Sequence, residues 1–381
     1  MRILLTLPLL LFVIIAQAQQ TYYPDAQWEI KSAEALGINK MLLDSAVQFA
    51  LANENKVERD LRIANLKSYA REPDYKIVGP MKPRGGSAGM IIKNGYIVAQ
   101  WGDVQRVDMT FSVTKSYLSV VAGLAVDAGL IKNETDKINQ YVWEDYFESD
   151  HNAAVTWRHL LTQSSDWSGS LFGLHDWADR PPKDGTVGEW KNRTLLTPGT
   201  NFEYNDVRVN LLSYALLQVW RKPLPAVLKE KIMDPIGAST TWRWFGYDNA
   251  FVNIDGIMMQ SVSGGGHHGG GIFINTQDQA RLGLLFLRNG KWKNQQLLSQ
   301  KWINATRQPS ASNKNYGYLW WLNTDLGWQG ISPNVYYAAG YGGNYIIIDE
   351  ANDLVLVTRW MDDGKIAELL RIATAAVKKN K

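Results

Sequence analysis

The chain contains no cysteine. That excludes disulfides, a thiolate nucleophile, thiolate metal ligands and an acylated lipobox, so the fold must rest on its apolar core alone. Runs of basic residues are missing as well. The 40 lysines and arginines stand against 37 acidic residues, and the net charge of +3 is spread along the chain. A phosphate-binding stripe, and with it a nucleic-acid partner, is excluded. No apolar run reaches the roughly 20 residues that a bilayer span needs, so no stable membrane anchor is expected. The stretch ILLTLPLLLFVII after Arg2, closed by Ala16-Gln17-Ala18, instead has the layout of a cleavable signal peptide over 1–18. A periplasmic or secreted location is the expectation. Internal repeats and low-complexity linkers are absent too, and 19–381 reads as a single domain.

What is present is an ordinary globular composition, 45% hydrophobic and 20% charged, over enough length for a substantial core. The unusual number is sixteen tryptophans. Most belong in a core, and the remainder suit a cleft for an apolar or sugar-like ligand.

An amphipathic helix is expected over 39–55. Two apolar runs flanking Asn94-Gly95 predict a hairpin over 87–103, because a type I′ turn needs positive φ at both central residues. A helix opens at Ser112, and its body from Tyr117 to Leu130 is apolar or small on nearly every side, which predicts burial. From about 133 to 260 the signals are helical and loop-like. Thr156 can cap one helix and Asn205 or Asp206 the next, and a short helix is expected over 226–238 after Pro223 and Pro225. Thr276 with Gln279 forms a capping box, and Gly290 ends that helix. Strands are expected within 316–322, 335–341, 344–350 and 354–360, and a last helix over 365–379. The fold class is therefore α/β of the α+β kind. An antiparallel sheet built from N- and C-terminal strands (about 19–108 and 262–381) is flanked by helices and carries an inserted, mainly helical part (about 109–261).

Ser112 and Lys115 lie three apart at the head of the buried helix. Such a pair should occur about once by chance in a chain of this size, so the spacing alone decides nothing. The chemistry nevertheless suits it. A serine hydroxyl needs a neighbouring base, and one helical turn sets Lys115 beside Ser112. Burial lowers a lysine's pKa, and the helix N-terminus offers a free N–H to an oxyanion.

The motifs SVTK, VTWRHLLTQSS, TPGTNFEYND, GGGIFINTQDQARLG and AAGYGGNYIIID follow in an order that resembles the serine β-lactamase and penicillin-binding-protein superfamily. The likeness is greatest to its class C branch, which also holds esterases and 6-aminohexanoate-dimer hydrolases. The resemblance implies Ser112 as nucleophile, Lys115 and Tyr204 as its proton-handling partners, and the N–H groups of Ser112 and Tyr341 as the oxyanion hole. Asp206, Gly340, Gly342, Gly343 and Asn344 would belong to the substrate cleft. Neither a cofactor nor a metal is implied.

The chain departs from the family pattern twice. Tyr204-Asn205-Asp206 puts aspartate where the family's Tyr-x-Asn has asparagine. An ionised Asp206 would hold Lys115 as ammonium and shift proton transfer towards Tyr204, or it would simply cap a helix. Ala338-Ala339-Gly340 lacks the lysine or histidine of the third element, which speaks against efficient β-lactam turnover. An exported hydrolase acting through a Ser112 acyl-enzyme on small esters or linear amides follows. Cell-wall D,D-peptidase, D-aminopeptidase or weak β-lactamase activity, and a non-catalytic glycan or peptidoglycan binding module, stay open. His267 and His268 are read as adjacent residues of an extended strand, facing opposite ways and unable to chelate one ion together.

Overall fold

The computed structural model describes residues 21–377, so the expected signal peptide lies outside the described residues. Its main sheet begins where the turn chemistry places it. Asn94 and Gly95 both adopt positive φ, 54° and 88°, and join β1 (Ala88–Lys93) to β2 (Tyr96–Trp101). A short β3 (Asp108–Met109) follows. Later in the chain come β4 (Arg243–Ile254), β5 (Ile257–Val262), β6 (Gly271–Ile274), β7 (Trp321–Leu322), β8 (Tyr336–Gly340), β9 (Asn344–Asp349) and β10 (Leu354–Arg359). The six-stranded antiparallel sheet runs β7-β8-β9-β10-β1-β2, and a second sheet runs β3-β6-β4-β5.

Helices cover the main sheet on both faces, so its central strands are buried almost throughout and mostly apolar. The faces still alternate with the pleat. Ile346, Ile348, Val355 and Val357 join one core, and Ile347, Leu354 and Leu356 join the other. The second core includes α1 (Lys40–Ala52), capped by Asn39, and the C-terminal helix Ile366–Val377. The larger core surrounds α3 (Val113–Asp127), which is buried from Val113 to Ala125, as its all-round apolar pattern predicts. The short α2 (Leu61–Tyr69) lies between α1 and β1 in sequence and reaches the cleft. Below that cleft Arg359 is fully buried. It donates to Asn344 Oδ1 (2.7 Å), Ile274 O (2.8 Å) and Met109 O (3.0 Å), tying the two sheets together.

Several expectations need correction. Residues 243–262 form the long β4–β5 hairpin rather than helix and loop, and so the inserted part is not uniformly helical. Its turn, Asp255-Gly256, carries the positive φ values that mark it, whereas the strands themselves are half-exposed and lack a clean alternation. The helix Thr276–Leu287 is capped by Asn275, whose side chain accepts from the Asp278 N–H, and not by Thr276. Within 316–322 only Trp321 and Leu322 are strand. Thr156 does cap its helix, with His159 closing the capping box. No helix among the described residues is long and apolar enough to cross a membrane.

Candidate active site

Ser112 precedes α3 and follows Phe111, whose φ of +47° is unusual for a bulky residue. Strain of this kind concentrates at functional turns. The Ser112 hydroxyl makes no capping bond to its own helix and instead accepts from Lys115 Nζ at 2.8 Å. Gly340, at the end of β8, passes directly beside this turn. A Cβ there would collide with the Thr110 carbonyl and lie 3.2 Å from the Ser112 nitrogen. The end of the sheet and the nucleophile's turn thus meet only because position 340 is glycine.

Asn205 caps the helix Asp206–Trp220 through the Arg208 N–H. Asp206 is thereby free of the capping role and turns to Lys115, Oδ1 to Nζ 2.7 Å, with both side chains buried. Arg180 Nη2 meets Asp206 Oδ2 at 2.7 Å, and Arg180 Nη1 meets Asp179 at 2.7 Å. His267 Nδ1 stands 3.3 Å from Asp206 Oδ2, and its Nε2 stands 2.8 Å from Glu72. A continuous chain of charges therefore runs Glu72–His267–Asp206–Lys115–Ser112.

Burial alone would drive Lys115 towards neutrality, but the field of Asp206 outweighs it, and the lysine pKa stands above its ordinary value. Of the two readings the sequence left open, this is the one in which an ionised Asp206 holds Lys115 as ammonium. Burial likewise works against Asp206, yet Arg180 and Lys115 hold its carboxyl well below the usual range. For His267 burial is outweighed by Asp206 and Glu72, and its pKa rises to about 9. His268, buried beside that cation, falls to about 4. Burial raises Asp179 to about 6 against the pull of Arg180.

The two histidines do not face opposite ways. They sit on a turn, not a strand, with ring centroids 4.1 Å apart. Their nitrogens and an Asp179 oxygen lie within 4.8 Å of one another, a spacing that could hold a cation. The Arg180 guanidinium already occupies Asp179, however, and opposes a second positive charge there.

A cleft of about 470 Å³ opens over Ser112. Tyr204, Trp321, Tyr337, Ala339, Tyr341 and Gly342 are part of its lining. The Tyr204 ring stacks on Trp321, and Lys115 Nζ and Arg180 Cζ lie 5.0 and 5.3 Å from its centroid. Ala338 points into the core, so the third element presents Ala339 and Gly340 to the cleft with no cation. Three expected cleft residues do not line it: Asp206 is buried behind Lys115 and Arg180, and Gly343 and Asn344 belong to a turn. Gly343 adopts a φ of +78° in the β8–β9 turn, and Asn344 is buried, donating to Tyr341 O at 2.7 Å and accepting from Arg359. They shape the turn that carries Tyr341. Most tryptophans are core, and Trp321 represents them on the cleft wall.

Arg180, Asp179, Glu72, His267 and Tyr69 were not foreseen in the site. Tyr69 and Glu72 come from a segment far from any motif, and Tyr69 stacks on His267 at 4.1 Å. The Arg180-Pro181-Pro182 sequence, at which Arg180 takes a φ of +51°, and the glycines around His267-His268 were the available signals.

The chain belongs to the Beta-lactamase family, whose model matches residues 80–376, and is a serine hydrolase with that fold. Tyr69 and Glu72 precede the matched span. Among solved structures, the hydrolase EstCE1, with promiscuous acyltransferase activity, superposes with a TM-score of 0.57 at 17% identity, covering 88% of this chain and 98% of that one. A family VIII carboxylesterase gives 0.56 at 16%, covering 83% and 95%. A candidate 6-aminohexanoate-dimer hydrolase from Bacillus anthracis gives 0.54 at 14%, covering 75% and 77%. At these identities the likeness is one of fold. A search of curated protein sequences finds no significant match.

Proposed function

We propose that the protein hydrolyses small carboxylic esters or linear amides through an acyl-enzyme on Ser112. The observation that carries this reading is Lys115 Nζ, 2.8 Å from Ser112 Oγ and paired to a buried Asp206, at the floor of an aromatic cleft. A lysine held as ammonium is a poor proton acceptor, so the base role is assigned to the Tyr204 oxygen, on a ring with Lys115 Nζ and Arg180 Cζ 5.0 and 5.3 Å from its centroid. As Ser112 Oγ bonds to the substrate carbonyl carbon, its proton passes to the Tyr204 oxygen. The carbonyl electron pair moves onto oxygen, opposite the N–H groups of Ser112 and Tyr341. The C–O or C–N bond then breaks and the leaving group takes the proton back. Water repeats the sequence on the acyl-enzyme and releases the acid.

The wall formed by Ala339 and Gly340 offers no cation to a β-lactam carboxylate, which favours acyl groups without a carboxylate. Export by removal of residues 1–18 belongs to the same reading, and the N-terminal sequence of protein recovered from a periplasmic fraction tests it. The decisive experiment for the activity is intact-mass spectrometry after treatment with a fluorophosphonate probe, alongside hydrolysis of p-nitrophenyl butyrate and nitrocefin. A single adduct lost in Ser112→Ala, with the ester turned over far faster than nitrocefin, is expected. No adduct would favour a binding module, and equal rates would remove the ester preference.

A further inference from the structure

The charges around the cleft are nearly all matched. Arg180 bridges Asp179 and Asp206, His267 lies between Glu72 and Asp206, and Lys115 faces Asp206. One charged lining residue remains outside this arrangement. Asp363 lines the cleft from the turn after β10 and accepts from neutral donors, the Tyr345 hydroxyl at 3.2 Å and the Asn55 amide at 3.3 Å. Among the described residues it forms no ion pair within 4 Å.

Its place is firmly held. The Asn55 N–H donates to Trp360 O (2.8 Å), the Asp362 N–H to Asn53 O (2.9 Å), and the Asn55 amide also reaches Met361 O (3.2 Å). The turn that carries Asp363 is thus anchored to the N-terminal segment. Beside it, Tyr345 and Tyr337 line the same cleft with ring centroids 5.8 Å apart, and Tyr337 is backed by the stacked Trp328 at 4.2 Å. Aromatic faces attract cations through their quadrupole, and a carboxylate accepts all that an ammonium donates. The same wall repels carboxylates and gains nothing from a purely neutral chain.

We propose that Asp363, Tyr337 and Tyr345 form a subsite for a primary ammonium group, so that the substrate is an ester or amide carrying a free amine. This rests on the Ser112 hydrolase reading and narrows its substrate class. A free amine on one limb of the substrate would bind Asp363 while the carbonyl lies at Ser112.

The test uses matched pairs of substrates at about pH 8, where the amines remain charged. On the acyl limb, p-nitrophenyl 6-aminohexanoate is compared with p-nitrophenyl hexanoate. On the leaving limb, 4-aminobutyl butyrate is compared with butyl butyrate. The amine should raise kcat/KM at least about tenfold in one pair. In Asp363→Asn that ratio should fall to near one. Because the readout is a ratio within each enzyme, a general loss of folded protein does not move it. No advantage in either pair of the wild type, or an advantage that survives Asp363→Asn, overturns the subsite. No hydrolysis of any of the four would overturn the Ser112 reading and this one together.

Discussion

Asp206 and Arg208, two residues apart at the start of one helix, each anchor a buried ion cluster, and the two clusters differ in kind. Arg208 donates from Nε to Trp167 O, from Nη1 to Glu203, and from Nη2 to Asp166 and Asp176. Those aspartates accept further bonds from Arg193 and from the backbone of Leu196 and Gly169. This cluster is fully hydrogen-bonded and ties the loop after the helix Trp157–Leu161 to the helix Asp206–Trp220. Around Asp206, by contrast, Asp206 Oδ1, Glu72 Oε2 and both His267 nitrogens lie at ion-pair distance without well-aligned hydrogen bonds. Here the pKa values are displaced, and the cluster opens onto the nucleophile. Satisfied charge holds structure, whereas imperfectly satisfied, shifted charge marks the place where chemistry is done.

Removing one cation from each cluster separates the two roles. Lys115→Ala should cost about 10³-fold or more in kcat, because both the Ser112 contact and the cation beside Tyr204 are lost. Arg180 and His267 still neutralise Asp206, so circular dichroism should show a folded protein. Arg208→Met leaves two buried aspartates undercompensated and should cost about 3–5 kcal/mol in urea unfolding, while the folded fraction keeps its kcat. A large kcat loss in Arg208→Met, or unfolding in Lys115→Ala, would collapse the distinction.

A smaller contrast lies across the cleft. Tyr204→Phe should lower kcat by about 10²-fold with little change in KM, because its hydroxyl acts only in the proton transfers. Tyr337→Ala on the opposite wall should raise KM by several-fold and leave kcat within about twofold, as loss of uniform binding requires. Steady-state kinetics on p-nitrophenyl butyrate read both. Near-normal kcat in Tyr204→Phe would return the base role to Lys115.

How far the sequence foretold this site depends on whether a signal is local. The Asn94-Gly95 turn, the all-round apolar helix after Ser112 and the Ser112–Lys115 spacing are local, and all three appear in the structure. The tie of Asp206 to Lys115 was one of two open alternatives, since Asn205 or Asp206 could equally serve as cap and only the folded helix start decides. Glu72, Arg180 and His267 converge from segments about a hundred residues apart or more in places, and no periodicity encodes that meeting. The β4–β5 hairpin was hidden because its half-exposed strands carry no regular alternation. His267 and His268 were misjudged because Gly265 before them and Gly269, Gly270 and Gly271 after them take positive φ and bend what would otherwise be a strand.

The smallest effect, and the sharpest for the comparison, concerns Glu72→Gln. Glu72 is the outermost member of the chain that ends at Ser112, and its carboxylate meets the cleft through His267. With Glu72 present, the His267 pKa rises from 6.5 to about 9 in the folded protein. A group raised on folding contributes its full stability below the unfolded value, near pH 6.5, and loses it as pH climbs through about 9. Removing the Glu72 charge lowers the folded pKa towards 6.5. The melting temperature of Glu72→Gln should therefore fall furthest below wild type near pH 6 and converge with it by about pH 9.5. Activity should show the opposite dependence. At about pH 6 both enzymes carry the imidazolium and should agree within about twofold, but at about pH 8 the variant carries less of it, with Asp206 alone left to hold it beside Asp179, and should be slower. The alkaline limb of kcat/KM thus moves to lower pH. Arginine does not titrate in this range, so the stability deficit of Arg208→Met should stay flat across the same window. An unmoved alkaline limb in Glu72→Gln would reduce the Glu72–His267 pair to a second structural cluster of the Arg208 kind.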